Sequence, residues 1–408
     1  MNFSAIKNKE NIVILKALAN SLFKCDYKFD EQDVDWNLVH EESKKQTVAY
    51  VCFDGIADKS IIPSDVYNEW FSTVCLYMRD NAQVNSNHAY LDKFLKKHGV
   101  PYCIFKGAAS EYYYPNPALR AMGDVDFVVP KDYFESTSEL FTNEGFTMSE
   151  EDHICHRVLT KNKIHLELHF EPAGMPEGEN RKIAEEFFAD IFEKTTCDSV
   201  GGFKFENPSA FHHGLVMLLH TYHHLLSEGI GLRHLCDWAV FVNKFTNEEF
   251  IGIFKEKLVR IGLWKFAQIL SATACDYIGL PHREWIGDVS KELTADIICD
   301  IFAGGNFGNK DTSRVQEGSM ISNRGKDGVK GSKFFQLVKV KNKEAARSFP
   351  IFKKVCIFYP FGFAFLGIRY FFNVITGKRD SVDIKKISDN AEKRKNIYAQ
   401  FELFEKGE

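Results

Sequence analysis

The sequence predicts an α+β protein in which a compact unit with a mixed sheet sits between two helical parts. Three observations carry this expectation. Apolar residues recur at helical spacing up to about residue 98, short apolar runs broken by Gly, Pro and Asn continue to about 170, and helical periodicity returns from about 208 to 303. At 408 residues the chain can bury a sizeable core and is long enough for more than one domain.

Residues 1–98 form the helical N-terminal part. Val66, Trp70, Val74 and Met78 recur at i+4, and a second helix ending near "KFLKKHG" has lysines in its last turn and Gly99 as its stop. Residues 99–200 form the α/β core. Its strands are read at "YCIF" (102–105), "DVDFVV" (124–129), "HRVLT" (156–160) and "IHLELHF" (164–170), with a helix-like stretch at 131–144. Residues 201–308 form a second helical domain, where Asn207 and Pro208 before "SAFHHGLVMLLHTYHHLL" resemble a helix start.

Residues 309–333 have few large apolar groups and read as a mobile linker. Residues 334–408 form a basic and aromatic C-terminal helical segment. Between Arg324 and Lys354 there are ten Lys or Arg against two acidic residues, ahead of "VCIFYPFGFAFLGIRYFFNVITG". Pro360, Arg369 and Asn373 interrupt a run that otherwise approaches the ~20 apolar residues a membrane span needs. A packed helix pair, a membrane-surface segment and a span are the three readings, and the basic flank makes residues 324–379 a candidate for peripheral contact with an anionic membrane.

Apolar residues make up 45% and charged residues 26%, with a net charge of −5, values of a soluble globular protein rather than a nucleic-acid coat. The ten cysteines are scattered without a C-x-x-C pair, which argues against a zinc ribbon or a disulfide framework. With no signal-peptide order at the N-terminus, the expected location is the cytoplasm.

The run "LRAMGDVDFVV" places two carboxylates where buried-strand residues belong. Alternation puts Asp124, Asp126 and Val128 on one face and Val125, Phe127 and Val129 on the other. Two charges about 6.7 Å apart repel by roughly 2.5 kcal/mol at an effective dielectric near 20, so the pair needs a cation. Mg²⁺ suits such an oxygen-rich platform. Neutralisation by Arg120 and Lys106 in a salt-bridge cluster is the alternative. "VLTKNKIHLELHF" reads as a hairpin turning at Lys161 to Lys163, with His165, Glu167 and His169 on one face of its second strand. Upstream, "YCIF" ends in Lys106-Gly107 before "AASEYYY", where backbone N–H groups and a lysine can meet an anion.

Strand, glycine turn, helix, D-x-D strand and later acidic strand is the order found in nucleotidyltransferases of the DNA polymerase beta superfamily. More narrowly, "FKGAASEYYYPNPALRAMGDVDFVV" followed by "HLELHF" resembles the largely uncharacterised bacterial nucleotidyltransferase family of that superfamily, with its K-G turn, R-x-x-x-D-[IV]-D strand and E-[IL]-H strand. The resemblance is specific over residues 100–170 and extends over about 35–305, where "GLRHLCDWAVF" also fits. It implies a polymerase-beta-like core that uses Mg²⁺, with Mn²⁺ as the substitute, to move a nucleoside monophosphate from an NTP to an acceptor hydroxyl on a protein, RNA or small molecule. It further implies that Asp124, Asp126 and Glu167 hold the metals and carry the catalysis, that Lys106, Gly107 and Ser110 contact phosphates, and that Arg120 clamps a phosphate. The broader superfamily has Gly-Ser or Gly-Gly at the turn, so Lys106-Gly107 is a departure that bears on the triphosphate pose. The rival reading is a catalytically inactive scaffold of the same fold that docks RNA, a membrane or a partner through its basic C-terminal region.

Other residues have plainer readings beside functional ones. His220 and His224, at i and i+4, are either a metal pair serving a hydrolase or helix-packing or substrate-lining residues. Arg233 and Asp237 read as an intrahelical ion pair unless their helix roofs the cleft. His153, His156 and His169 have the chemistry for proton transfer, but nothing in the sequence brings them to a substrate. "AGGNFGN" (303–309) lacks the signature of a phosphate loop and suits a domain-ending turn.

Overall fold

The computed structural model describes residues 1, 3–149, 156–200, 202–311, 313–325 and 384–405. The N-terminal part contains α1 (Lys9–Phe23), α2 (Trp36–Lys45), α3 (Ala49–Gly55) and α4 (Ser64–Lys97). Side chains of Asn8 and Asp35 accept the free N–H groups that open α1 and α2. Gly55 lies against the Ala17 carbonyl with no room for a side chain, so α1 and α3 pack backbone to backbone.

The two helices read between residues 64 and 97 are one. Val66, Trp70 and Val74 are buried as expected, but Met78 is exposed because the helix changes partners there. Its first half joins the helical core, and its second half, through Val84, Leu91, Phe94 and Leu95, joins the core of the sheet.

The sheet comprises β1 (Cys103–Ile104), β2 (Val125–Val128), β3 (Thr147–Met148), β4 (His156–Lys161) and β5 (Ile164–His169), in the order β1-β2-β5-β4-β3. Only β2 and β5 run parallel, so the sheet is mixed. Helix α5 (Ala108–Glu111) lies between β1 and β2, and α6 (Phe134–Asn143) between β2 and β3. The β4–β5 turn is made at Asn162, with φ 55°, a left-handed conformation that Asn tolerates. Val125, Phe127 and Val129 sit in the sheet core with Phe141, Leu166 and Leu168. Their alternates do not face solvent: Val128, with Cys103 and Phe105, packs on Ile191 and Val216 of the helical part. The acidic face of the sheet is therefore covered by helices, and the gap left between them is the cleft described below.

After α7 (Gly178–Phe188), the hairpin β6 (Thr196–Val200) and β7 (Phe203–Asn207) straddles the boundary drawn at residue 200 and inserts Phe205 into the sheet core. The later helices are α8 (Ala210–Leu226), α9 (Leu232–Val242), α10 (Asn247–Phe250), α11 (Glu256–Ile261), α12 (Trp264–Tyr277) and α13 (Lys291–Gly304). Ser209 rather than Asn207 caps α8. These helices and α1 to α3 share one hydrophobic core, so the helical segments before and after the sheet are a single packed layer.

The linker expected at 309–333 needs correcting over part of its length. Residues Arg314–Gly325 form helix α14, which packs with α15 (Ile384–Ala399). Buried ion pairs order this polar segment where apolar burial cannot: Arg314 with Asp300 at 2.8 Å, and Glu317 with Arg394 at 3.0 Å. Residues 326–333, the basic run beyond Gly325 and the aromatic stretch at 355–375 lie outside the described residues. No helix among the described residues is long and apolar enough to cross a membrane. The described cysteines are free thiols.

Candidate active site

Strand register brings the carboxylates together. Asp126 and Glu167 are direct neighbours on the parallel strands β2 and β5, and Asp124 precedes β2 by one residue on the same face. All three line one cleft of about 290 Å³, together with Lys106, Gly107 and Ser110. That volume is at the lower edge of the small-ligand range of roughly 300–1,000 Å³. His165, two residues before Glu167 on β5, is exposed and does not line this cleft, but borders a neighbouring pocket with Asp124 and Glu167.

Asp126 is 6% exposed and accepts from Lys106 Nζ at 2.9 Å and from His169 Nε2 at 3.2 Å. Burial alone would push its carboxyl up, but Lys106 and His169 hold it well below the usual carboxylate range. His169 Nε2 also lies 3.5 Å from Glu167 Oε2. Its hydrogen bond lowers the Glu167 carboxyl against the effect of burial. In return, Asp126 and Glu167 raise the imidazole against its own burial. Among the described residues Asp124 forms no ion pair, and the Lys106 charge only partly offsets its surroundings. Burial, with the negative charges of Asp126 and Glu167, pushes its carboxyl up to about 7. Three carboxylates this close hold a proton among them unless a further cation enters.

Of the two residues read as neutralisers, Lys106 contacts the cluster and Arg120 does not. The Arg120 guanidinium is 4% exposed and makes a bidentate pair with Asp237, Nε to Oδ1 at 2.9 Å and Nη2 to Oδ2 at 2.8 Å. Its Nη1 donates to the carbonyls of Gly107 at 3.1 Å and Ala121 at 3.3 Å. Arg120 thus borders the cleft, with hydrogen bonds to Asp237, to the Gly107 carbonyl of the turn and to the Ala121 carbonyl. Gly107 has φ 58°, which a side-chain-bearing residue rarely adopts, so the turn requires glycine. Ser110 is buried on α5, with Oγ 3.4 Å from His213 Nε2.

The opposite wall comes from the helical layer. Helix α8 contributes His220 and His224, α9 contributes Arg233, His234 and Asp237, and the turn after α13 contributes Phe307. The α9 helix does line the cleft, but the intrahelical pair expected of Arg233 and Asp237 is absent, because Arg120 takes both Asp237 oxygens and Tyr114 donates to Oδ1 at 2.7 Å. His220 and His224 touch, Nε2 to Nε2 at 3.0 Å, and His224 Nδ1 meets Glu228 at 3.2 Å. Among the described residues they join no group of three metal ligands, whereas Asp126, Glu167 and His169 place ligand atoms within 4.8 Å of one another. His169 and Arg233 had readings from strand alternation and from i, i+4 spacing, whereas His234 and Phe307 were not singled out. The E-[IL]-H strand was the available signal for His169.

A family model described as an uncharacterised nucleotidyltransferase matches residues 32–278, more than half of the chain. The chain belongs to this nucleotidyltransferase family. The match spans the sheet, the carboxylate floor and the α8–α9 wall, while Phe307, α14 and α15 lie beyond it. No curated protein matches the chain. Membership in a nucleotidyltransferase family implies a nucleotide substrate, and such enzymes usually employ a divalent metal.

Proposed function

We propose that the protein is a Mg²⁺-dependent nucleotidyltransferase that moves a nucleoside monophosphate from an NTP to an acceptor hydroxyl. The register of Asp126 against Glu167, with Asp124 beside them in one cleft, carries this reading. The donor set fits a hard divalent cation, since it is rich in carboxylate oxygen and retains an excess of negative charge that Lys106 and His169 only partly offset. Asp124, Asp126 and Glu167 would hold Mg²⁺, or Mn²⁺ in its place, and the ion would offset phosphate charge and align the reacting oxygens.

The chain's own residues supply position and proton control. His169 orients Asp126 and Glu167 by hydrogen bonding to both. Lys106 and the Gly107 turn lie beside the phosphates, Ser110 lines the same wall, and Arg120 acts as a positioning residue that fixes the turn through the Gly107 carbonyl. In the reaction the acceptor oxygen bonds to the α-phosphorus as the bond from that phosphorus to the α,β-bridging oxygen breaks. The electron pair leaves on pyrophosphate, and Glu167 takes the hydroxyl proton.

Incubation with each α-labelled NTP, Mg²⁺ and a cell extract should transfer label and release pyrophosphate. Asp126→Asn should lower the rate by about 10²–10³-fold or more, the scale of losing one preorganised electrostatic group. Equal labelling by the folded variant and the wild type would reject the assignment.

A further inference from the structure

The geometry points to a separate anion subsite on the helical wall: Arg233 and His234 of α9 receive the terminal diphosphate of the nucleotide, the part released as pyrophosphate. This inference rests on the nucleotidyl-transfer reading and names the residues that take the leaving group.

Arg233 has no ion pair among the described residues, and its Nε is buried without a hydrogen-bond partner. The carboxylate one turn away, Asp237, is spent on Arg120 and Tyr114. His234 is 6% exposed, lines the cleft, and has both ring nitrogens buried and unpartnered. A half-buried guanidinium with a sealed, unpartnered Nε beside a second guanidinium, and a buried unsatisfied imidazole, are unfavourable in isolation. Such groups persist where a ligand brings the missing charge and acceptors.

Phe307 sets the direction. It sits at φ 55° and ψ 36° between Gly305 and Gly308, in the left-handed region that few aromatic residues occupy. Its ring lies 5.6 Å from the Arg233 guanidinium and 5.2 Å from the His234 ring. Stacking on a ring face leaves the edge of the guanidinium, with its forked N–H groups, free for two oxygens of one phosphate.

The class of ligand follows from charge. Within an NTP the base and sugar are neutral and cannot balance Arg233, so the groups of the nucleotide that can are its phosphates. The α-phosphate must lie at the carboxylate floor, where Asp124, Asp126 and Glu167 are, which leaves the β- and γ-phosphates for the α9 wall across the same cleft.

Titration of the full-length protein with inorganic pyrophosphate in EDTA, by isothermal calorimetry at low salt, separates this subsite from the metal and from turnover. Wild type and Asp126→Asn should both bind. Arg233→Gln should bind about ten- to a hundredfold more weakly, as expected for loss of a charge-assisted contact. Arg233→Met should melt at the same temperature as wild type or higher in the absence of ligand, because it removes a charge that has no ion-pair partner among the described residues. Pyrophosphate binding by Arg233→Gln equal to wild type, or a clear fall in melting temperature for Arg233→Met, would overturn the subsite. Arg233-dependent pyrophosphate binding without label transfer from any NTP would leave the subsite standing and remove the nucleotidyl-transfer reading. Transfer with binding independent of Arg233 would do the reverse.

Discussion

Substitution of Asp237 by Asn removes one charge while nearly preserving shape, and its effect follows from what surrounds Arg120. That guanidinium is 4% exposed, and its ion-pair partner among the described residues is Asp237, through contacts of 2.9 and 2.8 Å. Arg233 lies on the same helix turn and adds repulsion. Removing one partner of a buried pair costs about 3–5 kcal/mol, a large part of the roughly 5–15 kcal/mol that holds a typical protein folded. The Asp237 carboxyl, lowered by Arg120 against its burial, lends this stability fully above its ordinary value of 3.8 and loses it as pH falls below that value. Urea unfolding at pH 7.5, followed by tryptophan fluorescence and circular dichroism with coincident transitions, measures the loss. Adding Arg233→Met to Asp237→Asn should recover part of it, because one of two stranded charges disappears. A loss under about 1 kcal/mol for Asp237→Asn, or further destabilisation by Arg233→Met in that background, would refute the electrostatic account of the α9 wall.

Phe127→Ala removes a fully buried ring from the sheet core and should cost about 3–5 kcal/mol in the same urea experiment; a change under 1 kcal/mol would place the ring outside the core. Glu111 is 1% exposed, and burial pushes its carboxyl up to about 7 from an ordinary 4.5. Its protonated form is the one the fold accommodates, so the stability it allows is full below pH 4.5 and is lost as pH rises through 7, by about 3 kcal/mol in all. Glu111→Gln should therefore match wild type at low pH and exceed it increasingly up to pH 8, whereas parallel urea midpoints at every pH would contradict the assignment. Arg394→Met leaves Glu317, 1% exposed, without its cation and frees the carbonyls of Leu225 and Ser227. Hydrogen exchange should quicken in α14 and α15 while the sheet stays protected; uniform quickening would show that the pair supports the whole fold.

The sheet was legible because alternation is local. In "DVDFVV" the apolar set and the acidic set separate by parity alone, and the structure puts Phe127 in one core and Asp126 in the cleft. The pairing of Asp126 with Glu167 was less accessible, since it depends on a parallel register across a crossover that no local pattern specifies. Arg233 and Asp237 show the limit of helical spacing. The i, i+4 geometry permits their pair, but Arg120, distant by 117 residues, supplies a better bidentate partner. Residues 314–325 read as linker for the same reason, because their order comes from Asp300 and from Arg394, 14 and 77 residues away, rather than from an apolar stripe. Met78 was misplaced because a continuous helix can hand its buried face from one core to another, and periodicity does not mark the change.

The most direct test is a crystal structure with Mn²⁺ and an NTP analogue whose α,β-bridging oxygen is replaced by a methylene group, with the metal located by its anomalous scattering. The expected result is a peak held by Asp124, Asp126 and Glu167, with the α-phosphate at that peak and the terminal phosphates toward Arg233. A metal peak at His220 and His224, or a nucleotide bound outside the cleft while the three carboxylates hold nothing, would contradict it.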